Sequence, residues 1–318
     1  MRTPRLTLSL LVIALGLAFG ATPALAAKPL VSSDGVTEVT PVGATFLGSV
    51  DPRGVASSGF FQYGTTTKYG KRTPAQSVGL NPGKVPIRAS VTGLKSDTTY
   101  HFRVVGQSAD GTTNGKDLVF KTAAPTTTPV FTPNPVPYGD PVSVSGVIVG
   151  SGASGAEVSL FSRPFPFTAP LTQAGNTVVS NADGSYLFIL SSALTTGQYE
   201  VRGKTNPPFT SAIQTLQVAS KISLTVRGKV RKGHKVTFHG IVAPGQDGIA
   251  VQIQKRQRNG KYTRFTSTTL KHRSDGRSGY SVRKTMRRRG IFRALVKSAG
   301  GAVVPAVSRA HSVAVTRR

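Results

Sequence analysis

VTGLKSDTTYHFRVVGQSADGTTNGKDLVFKT, residues 91–122, is the stretch that decides how this chain folds. Tyr100, Phe102 and Val104 stand at alternate positions and so share one face of an extended strand, while His101 points away from them toward solvent. Asp110-Gly111 then supplies a turn, and residues 118–121 alternate again. The same pattern extends outward: runs at 44–50, 59–63 and 88–91 are separated by Asp51-Pro52-Arg53-Gly54 and Asn81-Pro82-Gly83. No segment carries a capped apolar stripe of period 3.6, so helices should be few and the fold all-β, built from antiparallel sandwiches.

Two boundaries divide the chain. Residues 123–135, AAPTTTPVFTPNP, read as a Pro/Thr-rich linker with little capacity for sheet. A quieter break lies near Ser220. The resulting units, 28–125, 126–220 and 221–318, are each near the ~100 residues of a β-sandwich. The second and third look like copies of one another. Gly139, Val142, Val144 and Gly146 recur as Gly233, Val236, Phe238 and Gly240, and Val158 and Leu160 as Val251 and Ile253. Tyr186 corresponds to Tyr280, and Gly197-Gln198-Tyr199 to Gly290-Ile291-Phe292. A period of this length is a domain duplication, too long for a solenoid repeat.

The stretch from 91 to 122, together with GFFQYGTTTKYG at 59–70, resembles the fibronectin type III domains of secreted, multidomain bacterial proteins. The resemblance implies a tyrosine corner made by Leu94 and Tyr100. The chain departs from many members of that family in having no core tryptophan; Phe46, Phe60 or Phe61 is expected to fill the volume. The second and third units resemble bacterial Ig-like surface domains more generically. Together these resemblances imply modular extracellular binding, spacing or display without intrinsic chemistry, although a fold does not by itself carry a function.

The N-terminus agrees with export. Arg2 and Arg5, an apolar run over 6–19 and Ala24-Leu25-Ala26 read as a signal peptide, 1–26, that is cleaved. The run is shorter than the ~20 residues that span a bilayer, and no second stretch of membrane length follows, so a secreted, extracellular protein without a transmembrane anchor is expected, associated with the cell envelope. There is no cysteine, which removes disulfides, thiolate zinc sites and thiol nucleophiles from consideration.

Little in the sequence points to catalysis. His234 and His239 are five apart, an odd spacing that places them on opposite faces of a strand. His272 has only Asp275 nearby, and no metal site or cofactor is expected. Asp34 and Glu38 are the only carboxylates close together in the mature chain, whereas a glycosidase needs two facing ones. Gly150-Ser151-Gly152-Ala153-Ser154-Gly155 satisfies GxGxxG, but the alternating run Ala156-Glu157-Val158-Ser159-Leu160-Phe161 follows it where a dinucleotide site needs a helix.

Charge is the strongest functional signal. The chain has 40 Lys plus Arg against 12 Asp plus Glu. The first unit holds 11 basic and 6 acidic residues and the second 3 and 4, whereas the third holds 24 and 2. A surface so poor in acids concentrates polyanions. The residues expected to carry that binding are Arg256, Arg258, Lys261, Arg264, Arg287, Arg288 and Arg289. The expected partner is an anionic cell-wall polymer or acidic polysaccharide, with an adhesion or spacer role. Two alternatives stay open: an accessory module of extracellular polysaccharide degradation, and binding of extracellular DNA, for which Tyr262 and Phe265 could stack on bases unless they belong to the core. The sequence does not fix the oligomeric state.

Overall fold

A computed structural model describes residues 27–227, 230–297 and 300–316; the expected signal peptide lies outside the described residues. Every regular element among them is a β-strand. Apart from the short parallel pair Val136–Pro137 with Val218–Ala219, the strands pair antiparallel. Buried apolar residues gather into three clusters, each held between two sheets, so the chain is a tandem of antiparallel β-sandwiches.

The first sandwich sets the sheet of Leu30–Thr37, Gly43–Asp51 and Val85–Thr92 against one centred on Ser57–Gly64 and Thr99–Ser108. Phe46 is its hub: its ring lies 4.7 Å from Phe102 at 9° and within 5.6 Å of Phe61, Tyr63 and Phe120. Such offset and edge contacts contribute beyond area burial. Phe46 and Phe61 are wholly buried, while Phe60 faces the other side of its strand beside Arg72. Tyr100 is buried over Phe120, and its hydroxyl accepts a hydrogen bond from the Lys95 backbone N–H at 3.0 Å, next to buried Leu94.

The segment expected to be a linker takes part in the second sandwich's sheet. Thr126 exchanges two backbone hydrogen bonds with Val149, and Val130–Thr132 pairs with Val142–Val147. Phe131 enters the second core, and Thr127 Oγ1 sits 3.0 Å from the Tyr186 hydroxyl. The prolines obscure this in sequence, yet at a sheet edge a residue without an N–H is tolerated and the intervening Thr, Val and Phe favour extended backbone. Ser96 and Ser151 tie the first sandwich to the second by reciprocal backbone-to-hydroxyl bonds of 3.1 and 2.8 Å.

The second and third sandwiches share one cross-strand device. Gly146 faces Tyr186 in the pairing of Val142–Val147 with Ser185–Leu190, and Gly240 faces Tyr280 in that of Lys235–Ala243 with Ser278–Thr285. Each tyrosine lies over its glycine, because a Cβ there would stand 2.3 Å from the Tyr186 hydroxyl or 2.7 Å from that of Tyr280. The freed space lets the hydroxyl reach the segment beyond: Thr127 in one case, the Ser223 carbonyl at 2.6 Å in the other.

Core membership does not stop at Ser220. Val303, 83 positions further on, is 3% exposed inside the second cluster with Val136, Leu216 and Val218. Backbone bonds from Val304 N to Val218 O at 2.7 Å and from Thr196 N to Ala302 O at 2.8 Å hold it there. Sequence periodicity cannot reveal such a contact, which depends on the tertiary path.

Two consequences are measurable. Gly240→Ala forces a Cβ to within 2.1 Å of the Ser223 carbonyl and should cost about 1–3 kcal/mol in chemical denaturation, a stability unchanged from wild type contradicting the glycine–tyrosine account. Val303→Asp buries an unpaired carboxylate in the second core, so hydrogen exchange should show Val136 and Val218 losing protection while the Gly43–Asp51 strand keeps it.

Candidate functional site

Register decides where the charge of the third sandwich ends up. Lys235–Ala243 pairs with Ser278–Thr285 from Lys235↔Thr285 to Val242↔Ser278, and Ala250–Arg256 pairs with Tyr262–Thr269 and Gly290–Val296. Turns 230–234, 257–261 and 286–289 therefore share one pole with residues 314–316, and loops 244–249 and 273–277 share the other. The nine-residue strand Lys235–Ala243 separates the poles by about 26 Å at ~3.3 Å per residue.

The distal pole is cationic throughout. Lys232, Arg256, Arg258, Lys261, Arg287, Arg288 and Arg289 are all exposed there. Beneath the arginine triplet, Met286 is 1% exposed and plugs the core; Gly233 N bonds to its carbonyl, and its own N–H reaches the His234 carbonyl. Thr316 joins the same patch through backbone bonds with Lys232 and Val230. The hairpin at 257–261 is fixed by bonds from Gln257 N to Lys261 O and from Gly260 N to Gln257 O, with Gly260 at φ +79°. Two hollows result: one of about 390 Å³ lined by Lys232, Arg287, Arg288 and Arg289, and one of about 560 Å³ lined by Arg256, Arg258 and Arg289. Arg289 belongs to both.

Five of the seven cations expected from sequence thus surround adjoining hollows, and Lys261 closes the neighbouring hairpin. Arg264 stands apart, exposed inside the strand Tyr262–Thr269 and opposite Gln254. Lys232 was missed because only register brings its turn beside 286–289. Both aromatics are engaged within the sandwich. Phe265 packs 5.2 Å from Phe292 and 6.0 Å from Phe238, and Tyr262 is covered by the Arg293 guanidinium at 3.9 Å, itself fixed by Gln254.

Both acids of the third sandwich lie at the proximal pole. Asp275 binds Arg277 at 2.5 Å and Arg273 at 3.2 Å, and these hydrogen bonds, Arg277's first, hold its carboxyl well below the ordinary 3.8. Asp247 accepts from the Ser278 hydroxyl, the main reason its carboxyl is also lowered, and from His272 at 3.0 Å. His272 therefore pairs with Asp247, not with the sequence-adjacent Asp275. The poles are separated by more than the ~8 Å screening length of physiological salt, so neither carboxylate attenuates the tip.

One further polar group lies in the first sandwich. His101 does not stand free in solvent: its Nδ1 is 2.7 Å from Asp117, which also accepts the Tyr69 hydroxyl at 2.9 Å. Burial raises the Asp117 carboxyl, and the bonds from His101 and Tyr69 outweigh it, leaving the group lowered. Among the described residues no group of three or more metal-ligating side chains comes together.

Comparison with family models and curated protein sequences finds no match. Among solved structures, the chain is similar to a tetra-tandem repeat in the extending region of a large adhesion protein, at 16% identity over 90% of this chain and 74% of that one, with a TM-score of 0.25. It is also similar to the FN1–FN3 domains of chicken CNTN1, at 13% identity over 92% and 99%, again with a TM-score of 0.25. At this TM-score neither likeness carries functional weight, and the site is read from its own residues.

The proximal carboxylates give a pH signature. A carboxyl lowered on folding stabilises above its ordinary value of 3.8, and that contribution is lost as pH falls through the folded-state value. Thermal melts should therefore drop between pH 4 and 2, and Asp275→Asn should lose less over that window than wild type; parallel curves would contradict the assignment.

Proposed function

We propose that this is a secreted, non-enzymatic modular binding or spacer protein whose distal tip attaches it to an anionic polymer of the cell envelope or matrix. The observation that carries the reading is the gathering of Lys232, Arg256, Arg258, Arg287, Arg288 and Arg289 around two adjoining hollows, with both carboxylates of that sandwich at the opposite pole. A solubilising surface has no need of such separation, since interspersed charges keep a domain soluble. Arginine suits the task because its fork meets phosphate or carboxylate with two parallel bonds.

The two preceding sandwiches, with far smaller net charge, set the tip at a distance from the N-terminal end of the mature chain. Single-stranded DNA is the weaker partner, because single strands are held by aromatic platforms and Tyr262 and Phe265 are both engaged within the fold, whereas duplex DNA offers the tip phosphates and is distinguished by competition against wall polymer at physiological salt. An accessory role in polysaccharide degradation would need only the same attachment.

Retention of the full chain on isolated cell walls and on a phosphate-bearing resin, read across a salt series, tests this. Wild type should bind at low salt and elute as salt rises, and Arg287→Gln/Arg288→Gln/Arg289→Gln should elute at markedly lower salt with a shallower salt dependence. Retention insensitive to salt, or unchanged in the triple variant, would sink the proposal.

A further inference from the structure

We infer that the third sandwich carries a second, separate site: a trough on the outer face of one sheet that takes a single strand of an acidic polysaccharide. It is built by alternation. Along Lys235–Ala243 the even positions Val236, Phe238 and Val242 are buried, so Thr237, His239 and Ile241 face outward. Their partners on Ser278–Thr285 are Arg283, Ser281 and Gly279, while Thr225 pairs with His239 on one side and Lys271 with Gly279 on the other. Thr268 and Thr269 of the neighbouring strand close one wall, giving a hollow of about 720 Å³.

Its chemistry is specific. Hydroxyls of Thr225, Thr268 and Ser281 line the middle, Thr237 stands beside Arg283 at one end, and Lys271 stands at the other, where Arg273 also lines the wall with its guanidinium on Asp275. Four residues of strand separate the row of Arg283 from that of Gly279 and Lys271, about 13 Å. A small anion cannot bridge that distance, whereas a polymer with a charge on each unit and hydroxyls between them meets every group. No carboxylate lines the trough, and Lys271 and Arg283 make no ion pair among the described residues.

Size and lining also decide against other occupants. The hollow falls within the ~300–1,000 Å³ of small-molecule sites, room for one strand and not for a duplex. Of Phe, Tyr and Trp its lining holds only Tyr280, which is 4% exposed with its hydroxyl committed to Ser223, so no phenol or indole face is offered to a neutral sugar; the imidazoles of His239 and His272 line it as well. Ser223 and Ile241 also line the cleft of about 800 Å³ beside Leu224 and Val307, so the trough runs on past its own end. That continuity suits the interior of a chain over a terminal sugar.

The inference does not rest on the tip. Titration calorimetry of the full chain with an oligogalacturonate, and with its methyl ester as the uncharged polyol of the same shape, tests it. With the tip silenced by Arg287→Gln/Arg288→Gln/Arg289→Gln, oligogalacturonate binding should persist, the methyl ester should bind far less than the acid, and adding Lys271→Gln/Arg283→Gln should weaken the persisting binding about tenfold. All these residues are exposed, and matching thermal melts establish that each variant folds. No binding left in the tip variant, no further loss when Lys271 and Arg283 are also replaced, or equal binding of ester and acid would each overturn the trough. Loss of wall retention in the tip variant with oligogalacturonate binding persisting would leave both sites standing as separate surfaces.

Discussion

Antiparallel pairing sends successive turns to opposite ends of a sandwich, and the third sandwich depends on it. Asp247 and Asp275 lie in loops at one end, and the turns carrying Lys232, Arg258 and the arginine triplet lie at the other. Gathering like charges is unfavourable: two cations 10 Å apart repel by about 0.4 kcal/mol in water before salt screens them. Several such pairs oppose the gathering of the tip, most at low salt. The opposing stabilisation comes from beneath, where Met286, Phe238 and Phe292 are essentially unexposed. A bound polyanion removes the repulsion, so the arrangement is strained alone and relieved when occupied.

Much of this was legible in the sequence because it is local. The alternation through Tyr100, Phe102 and Val104 gave the all-β architecture, and the recurrence of Gly146 and Tyr186 as Gly240 and Tyr280 turned out to mark a shared cross-strand contact. What escaped was tertiary. Segment 123–135 looked like a linker because of its prolines, but its pairing partner lies beyond it in the chain. His272 finds Asp247 across 25 positions, and Tyr262 is covered by Arg293 through adjacent strands. Charge counting located the basic unit correctly but could not separate Arg264, on a strand, from the arginines in turns.

The two proposed surfaces also differ in how they meet a ligand. At the tip, long side chains project from turns into open water, a geometry that tolerates many anionic shapes. In the trough, short hydroxyl side chains fixed on a sheet floor set spacing, and cations are placed at its two ends. Rigid strands hold such spacing better than turns do, so discrimination among polymers belongs to the trough and general adherence to the tip.

Val303 gives the assembly a mechanical property. A protein attached at its C-terminal tip and loaded at the other end transmits tension across the junction between the second and third sandwiches. A single covalent strand passes through Ser220, but the Val218–Val304 and Thr196–Ala302 hydrogen bonds run beside it, and Val303 is embedded in the core they border. The junction therefore shares force between a covalent path and a packed, hydrogen-bonded one. Pulling the two sandwiches apart requires extracting a buried side chain as well as straightening a peptide, so the join resists extension as a clasp does.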